Sequence, residues 1–293
     1  MNFKQAIYTY ILVCFSFYSA HSYADFFQNL NLLQQKNTTK NLPYGTHALQ
    51  KLDLYLPTPK AKQMLNQRFA PILVIVHGGA WRIGDKSHNR VVQNKAIYWN
   101  TQGWLVISVN YRLVPEVSVQ QQTQDIADAL SFVQSHAASW QADPNHIVIM
   151  GHSAGAHLVT LLSTQPAWMI RYPQPWKATI ALDSAAYDLE KLMSGQHATI
   201  YDPVFGTSVD SWHAVSPQHQ IRQALPAFLA VCSTLRPDQP CNQAHAFTEK
   251  AKALGTTTQL LPIALTHAEI NQDLGLNTNY TQQVDQFIQQ QLQ

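Results

Sequence analysis

The chain has 293 residues, of which 46% are hydrophobic, and this length suits one large α/β domain or two small ones. Its apolar content excludes a disordered chain. The 19 Lys and Arg residues against 17 Asp and Glu give a formal net charge of +2, and only 12% of residues are charged. Because the chain has no basic cluster, it lacks the charge that binding to a phosphate backbone requires. We therefore expect no nucleic-acid partner.

Residues 1–24 are typical of a secretory signal peptide. A single basic residue, Lys4, precedes an apolar and aromatic run over residues 7–15, and Ser22-Tyr23-Ala24 supplies a small-x-small cleavage pattern. We predict cleavage after Ala24, export to the periplasm or the medium, and no stable membrane anchor after cleavage. An uncut N-terminal anchor helix is the alternative, since the apolar stretch is nearly long enough to reach across a bilayer.

Export changes the cysteine count. Cys14 leaves with the signal peptide, so Cys232 and Cys241 remain. Two cysteines at this short separation in an oxidising compartment are plausible disulfide partners. Two unpaired thiols are the alternative.

The hydrophobic pattern alternates between strands and helices. Residues 25–45 read as a polar, irregular leader, and Leu52, Leu54 and Leu56 alternate with polar residues as in a half-buried strand. Apolar runs predict further strands at 72–76, 105–109, 147–150, 178–182, 227–231 and 258–263. Helices are predicted near 91–101, from about 123 to 136, directly after Gly151, and from about 280 to 292.

Continuous apolar strands that alternate with helices indicate an α/β fold with a mostly parallel central sheet covered by helices on both faces. The alternation breaks over residues 184–222, which are rich in loops and aromatic side chains. This segment predicts a small cap insertion over the carboxyl edge of the sheet. We expect one domain over residues 25–293, with the cap segment around 184–222.

Gly151-His152-Ser153-Ala154-Gly155 matches G-x-S-x-G between a predicted strand and a predicted helix. The two glycines permit a tight turn that exposes the serine hydroxyl, and the helix directs backbone N–H groups toward it. We predict that Ser153 is a nucleophile. His152 and His157 have the separation of zinc ligands on a helix, but we interpret them as the variable position of the turn and a packing residue, and predict no metal.

His77-Gly78-Gly79-Ala80-Trp81 follows the strand that ends at Val76. Successive glycines free the backbone, so the Gly78 and Gly79 N–H groups, together with that of Ala154, are predicted to form an oxyanion hole. We expect His77 to orient this loop by hydrogen bonding. Trp81 either lines the substrate pocket or packs in the core.

Four motifs resemble those of α/β-hydrolase-fold carboxylesterases in order and spacing. They are the segments 77–81 and 151–155 together with Asn110-Tyr111-Arg112-Leu113 and Asp143-Pro144. Over roughly residues 45–290 the chain looks most like the branch near hormone-sensitive-lipase-like esterases, arylformamidases and bacterial feruloyl-esterase-like enzymes. The resemblance implies the α/β-hydrolase fold, hydrolysis of a small-molecule ester, and no cofactor.

An enzyme of this type places an acid and then a histidine after the serine. His267 follows the strand at 258–263 and a short loop, where the fold places its general base. Asp238 follows the strand at 227–231, where related esterases keep the acid, although the local sequence departs from their commoner Gly-x-x-Asp pattern. We predict a triad of Ser153, Asp238 and His267, with Asp183 as the rival acid and Asp188 as a weaker one.

These residues predict an exported serine hydrolase that cleaves short-to-medium acyl or aryl esters through an acyl-enzyme. An arylformamidase or amidase is the alternative within enzymes, because the same loop and triad serve that reaction. A non-catalytic binding module on the same fold is the alternative outside them.

Overall fold

Eight strands form one sheet in the computed structural model, which describes residues 38–58, 61, 69–165 and 176–292. The strands are β1 (Thr38–Pro43), β2 (Lys51–Tyr55), β3 (Ala70–Val76), β4 (Leu105–Val109), β5 (Ala142–His152), β6 (Ala178–Leu182), β7 (Ala227–Ser233) and β8 (Thr258–Ile263). Their spatial order is β1-β2-β4-β3-β5-β6-β7-β8. β2 pairs antiparallel with β1 and with β4, and every later pair is parallel. The predicted signal peptide lies outside the described residues.

The described residues also form ten α-helices and one 3-10 helix, at Ala137–Trp140. The α-helices are α1 (Asn89–Thr101), α2 (Val119–His136), α3 (Ala154–Thr164), α4 (Leu189–Ser194), α5 (Asp202–Phe205), α6 (Val209–Ala214), α7 (Pro217–Gln220), α8 (Pro240–Ala253), α9 (His267–Gln272) and α10 (Asn279–Gln290). None of the helices in the described ranges is long and apolar enough to cross a membrane.

The two faces of the sheet are buried against different helices. Along β3, Ile72, Val74 and Val76 pack in one apolar cluster with residues of α2 and α3. Leu73 and Ile75 pack in a second cluster, with residues of α1 and α10. Because side chains alternate between faces along a strand, burial of both faces requires an uninterrupted apolar run. The predicted α/β class, with helices on both faces of a mostly parallel sheet, is confirmed.

The N-terminal edge of the sheet differs from the prediction. Residues 38–43, which the sequence pattern places in an irregular leader, form the edge strand β1. β2 was expected to be half-buried, yet four of its five residues are buried because it lies between β1 and β4. Its polar position, Asp53, is fully buried and forms an ion pair of 2.9 Å with Lys86. This pairing lets a charged residue occupy a buried strand position.

The chain between β6 and β7 forms four short helices, α4 to α7. Phe205 and Tyr201 from this segment pack against Trp81, with ring centroids at 4.8 Å and 5.9 Å. Residues 196–198, Ile200 and Tyr201 line a cavity together with Ser153 at the carboxyl end of β5. The segment therefore forms a wall beside the sheet edge that carries the candidate site.

Candidate active site

Ser153 lies at a sharp turn between β5 and α3. Its backbone angles, φ 56° and ψ −118°, are strained for a residue with a side chain. A Cβ on Gly151 would lie 2.2 Å from the Gly155 carbonyl oxygen, and one on Gly155 would lie 2.4 Å from that of Val76. Both flanking positions therefore require glycine, because helix α3 approaches the sheet too closely for any side chain. The strand-turn-helix context predicted for the motif is present.

The loop at Gly78 and Gly79 passes beside this turn. A Cβ on Gly78 would lie 3.1 Å from the Ser153 Cβ, and Gly79 has a φ of 118° that favours glycine. Within the described parts of the chain, the amide N–H groups of Gly78, Gly79 and Ala154 donate to no acceptor. Donors that are free beside a nucleophile can bind a developing negative charge.

His77 holds this loop in place. Its Nδ1–H donates to the Gly78 carbonyl oxygen at 2.7 Å, and its ring stacks on Tyr111 with centroids 4.4 Å apart. A side chain at Gly84 would place its Cβ 2.3 Å from His77 Nδ1. Burial lowers the pKa of His77 and so favours the neutral ring. The hydrogen bond predicted for His77 is thus observed in the structure.

His267 is the first residue of α9, and the start of that helix is fixed by a reciprocal cap. The Thr266 hydroxyl accepts from the Glu269 N–H, and the Glu269 carboxylate accepts from the Thr266 N–H. His267 Nδ1–H donates to Asp183 Oδ2 at 2.6 Å. With its proton held on Nδ1, the imidazole keeps Nε2 as an acceptor.

Asp183, the partner of His267, follows β6 directly and is fully buried. Its carboxylate also accepts from the Ser233 N–H at 2.8 Å and from Arg236 Nη1 at 2.9 Å. Burial alone would raise the pKa of Asp183, but the hydrogen bond from His267, the charge of Arg236 and the Ser233 N–H lower it below its ordinary value. The Asp183 side chain is therefore ionised and is held in place by these hydrogen bonds.

Asp238 is not the partner of the imidazole, and in this respect the structure contradicts the predicted triad. The carboxylate of Asp238 is 42% exposed and accepts from Arg236 Nη2 at 2.5 Å and Nε at 2.9 Å. Arg236 reaches past it to Asp183, the acid that the sequence offered as the rival. Asp188, the weaker candidate, caps α4 instead.

Cys232 and Cys241 form a disulfide, as predicted. The loop that it closes carries both Arg236 and Asp238. The sequence interpretation expected this loop to stiffen the acid that orients the imidazole. In the structure the loop carries Arg236, which pairs with Asp183, the carboxylate that accepts from His267.

Two histidines near Ser153 are held by hydrogen bonds from their rings. His152 Nε2–H donates to the His267 carbonyl oxygen at 2.9 Å, and burial, with the neighbouring His267, lowers its pKa to about 3. His157 Nδ1 accepts from Trp81 Nε1 at 3.1 Å, while its Nε2–H donates to the Val215 carbonyl oxygen at 2.8 Å. His157 is a packing residue. His152 holds the backbone of His267, a role that the motif alone does not indicate.

A cavity of about 730 Å³ opens over these groups. Ser153, Asp183 and His267 all contribute to its lining, which brings the nucleophile candidate and the histidine–acid pair to one space. Trp81 also lines the cavity although it is almost fully buried, so it both packs and faces the pocket. Further lining residues are polar and come from the cap segment and from the start of α8: Lys191, Gln196, His197, Gln239, Asn242 and Gln243.

This sheet, with its serine turn and a histidine–acid pair at the carboxyl edge, has the α/β-hydrolase fold. A carbohydrate esterase from gut microbiota has the same fold, with a TM-score of 0.69 at 18% identity over 87% of this chain and 96% of that one. Residues 52–171 match the BD-FAE family model.

Curated relatives are similar to this chain in sequence. The chain is 26% identical over 248 residues to an isoprenylcysteine alpha-carbonyl methylesterase from Arabidopsis thaliana. This alignment covers 77% of this chain and 55% of the relative. It is 26% identical over 233 residues to the esterase LipQ from Mycobacterium tuberculosis, covering 75% and 54%. The chain thus spans about half the length of these relatives. The resemblance to α/β-hydrolase-fold carboxylesterases is confirmed.

Proposed function

We propose that this chain is a serine hydrolase of carboxylic esters, with Ser153 as the nucleophile, His267 as the general base and Asp183 as the acid. The observation that carries this proposal is the 2.6 Å hydrogen bond between His267 and the buried Asp183 carboxylate, in the cavity that Ser153 also lines. A binding module has no need of a strained serine beside an imidazole whose tautomer is fixed.

In the first half of the reaction, Ser153 Oγ attacks the ester carbonyl carbon while His267 Nε2 takes its proton. The imidazolium that forms is stabilised by the Asp183 carboxylate. The carbonyl oxygen becomes an oxyanion that binds the N–H groups of Gly78, Gly79 and Ala154. Each such donor lowers the barrier by about 3 kcal/mol.

The bond from the acyl carbon to the alcohol oxygen then breaks, His267 gives its proton to the departing alcohol, and an acyl-enzyme remains on Ser153. The second half of the reaction hydrolyses this acyl-enzyme. Water then attacks the acyl carbon while His267 takes its proton. As the bond from the acyl carbon to Ser153 Oγ breaks, His267 returns that proton to Ser153 Oγ and the acid product leaves. No metal or cofactor takes part in these steps.

The substrates that fit this site best are short-to-medium acyl or aryl esters. A cavity of about 730 Å³ is in the range of a drug-sized ligand. Trp81 and Tyr201 offer aromatic surface, while Arg236 and Gln243 offer polar contacts on other parts of the lining. The names of the relatives, a methylesterase and an esterase, support ester hydrolysis rather than amide hydrolysis.

We also propose that the chain is exported and that residues 1–24 are removed. The Cys232–Cys241 disulfide supports this, because such bonds persist in oxidising compartments. Expression of the full chain in a secretion-competent host should yield a mature N-terminus at Asp25. An intact N-terminus on the protein recovered from the periplasm or medium would contradict cleavage.

A series of 4-nitrophenyl esters, from acetate to palmitate, tests the reaction. We expect turnover of the shorter esters by the wild type and its loss in Ser153→Ala, with an unchanged circular dichroism spectrum. Ser135→Ala, which alters an exposed serine on α2, is the matched control and should keep full activity. Retained turnover in Ser153→Ala would refute the proposal, and faster hydrolysis of an aryl formamide than of the matching aryl acetate would favour the amidase.

A further inference from the structure

A cluster of metal-ligating side chains lies on the cap segment, apart from the candidate active site. Glu190 in α4, His213 in α6 and His219 in α7 place one carboxylate oxygen and two ring nitrogens within 4.8 Å of one another. The two imidazole rings stack nearly parallel, with centroids 4.0 Å apart. All three side chains are partly exposed, so an ion in solution can reach them.

The hydrogen bonds around His219 accommodate a proton on its Nδ1. The Ser216 hydroxyl donates its one hydrogen to the Tyr187 carbonyl oxygen at 3.1 Å. With the hydroxyl donating there, it accepts at its contact with His219 Nδ1, 2.9 Å away, and Nδ1 carries the proton. Ser216 is itself fully buried and also accepts from the Leu189 N–H, so it cannot turn away.

This tautomer leaves the lone pair of His219 Nε2 facing a carboxylate. Glu190 Oε2 lies 3.4 Å from that nitrogen, close enough for one cation, a proton or a metal ion, to bridge the two atoms. A metal-ligating histidine ordinarily donates its other ring N–H to a fixed acceptor, which is the role of Ser216 here.

The separation of two of the three ligand atoms suits a tetrahedral ion. Zn–N and Zn–O bonds of about 2.0–2.2 Å place neighbouring ligand atoms about 3.4 Å apart. The distance of 3.4 Å between His219 Nε2 and Glu190 Oε2 already has this value. His213 Nε2 now donates to the same carboxylate oxygen at 2.6 Å, so this half-exposed ring would lose that proton and rotate out of its stack on His219 to bring its lone pair to the ion.

We propose that Glu190, His213 and His219 bind a zinc ion, with water in the fourth position. Two imidazoles and one carboxylate favour zinc over calcium or magnesium, which prefer oxygen ligands alone. The ion would link α4 to α6 and α7. Since α4 also contributes Lys191 and Leu192 to the cavity lining, bound zinc would fix this wall of the pocket.

Isothermal titration of the EDTA-treated, dialysed full chain with zinc chloride tests the site. We expect one zinc per chain with a dissociation constant in the micromolar range or tighter, and a rise in Tm of about 5 °C at a hundredfold excess over that constant. Glu190→Gln and His219→Gln should each weaken binding by about 100-fold, because each removes one of three ligands.

His146→Gln is the matched control, since it removes another surface histidine that is paired with a carboxylate, Asp143, at 2.8 Å. Its zinc affinity should equal that of the wild type. Circular dichroism of each variant shows whether a loss of binding reflects a loss of fold. Zinc binding that is absent from the wild type would overturn the proposal, as would binding that persists unchanged in Glu190→Gln and His219→Gln.

Discussion

Replacing Asp183 with Asn removes the charge that orients the His267 imidazole. The carboxylate accepts three hydrogen bonds, from His267 Nδ1, Ser233 N and Arg236 Nη1. An asparagine amide has one oxygen for these donors, and its NH₂ group facing the ring would favour the tautomer with the proton on Nε2. In that tautomer His267 cannot accept the proton of Ser153.

The size of the effect follows from this geometry. An acid-to-amide change that selects the wrong tautomer lowers kcat by about 10⁴-fold, or about 5 kcal/mol of barrier. Asp238→Asn is the matched control, because it makes the same chemical change one ion pair further out. The pair of Asp238 with Arg236 is partly exposed and contributes about 1 kcal/mol or less, so kcat should fall less than about tenfold.

Steady-state hydrolysis of 4-nitrophenyl acetate by both variants gives kcat, and thermal melts report whether each variant is folded. A drop of three or more orders of magnitude in Asp238→Asn, with activity retained in Asp183→Asn, would refute the assignment of Asp183. That result would instead support Asp238, the acid that the sequence pattern predicts.

Three further perturbations test the structure. Burial lowers the pKa of His157 to about 4 from 6.5, so unfolding takes up a proton at a pH between these values. The free energy of unfolding should therefore fall by about 3 kcal/mol as the pH drops from 6.5 to about 4. Urea unfolding of His157→Gln should lack this part of the loss. Equal pH dependence in the two proteins would contradict it. Gly155→Ala should destabilise by at least about 3 kcal/mol, because its Cβ meets two backbone carbonyls. At Gly206 a Cβ meets no atom of the described residues within 4 Å, so Gly206→Ala should lose only about 1–2 kcal/mol, from its positive φ. Similar losses in the two variants would count against the close approach at the serine turn. Replacing Cys232 and Cys241 by Ser should lower the free energy of unfolding by about 3 kcal/mol, measured by denaturant unfolding. An unchanged midpoint would show that the disulfide does not stabilise the fold.

The central strands were predictable because burial of both faces leaves a strong apolar signal. β6 and β8 have the predicted bounds, Ala178–Leu182 and Thr258–Ile263. The edge strand β1 has no such signal, since its residues are mostly exposed and polar and it forms by pairing with β2. Sheet edges depend on pairing geometry that the hydrophobic pattern does not record.

The serine turn and the glycine loop beside it were predictable because their geometry requires glycine at fixed positions. The carboxylate that pairs with His267 was not, since Asp183 and Asp238 both follow parallel strands that end at the same edge of the sheet. The placement of Arg236 decides between them, and an arginine in a loop has no local signature for this role. The cluster of Glu190, His213 and His219 was missed for a related reason, because its members lie on three separate helices with no motif spacing.

Covalent labelling of Ser153 is the most direct test of the proposed chemistry. A fluorophosphonate reacts with a serine only where a neighbouring base activates the hydroxyl, and the product shifts the mass of the chain by one adduct. We predict one adduct per chain, on the peptide that contains Ser153, and none on Ser153→Ala. An unlabelled wild type, or an adduct on another residue, would contradict the assignment of Ser153 as the nucleophile.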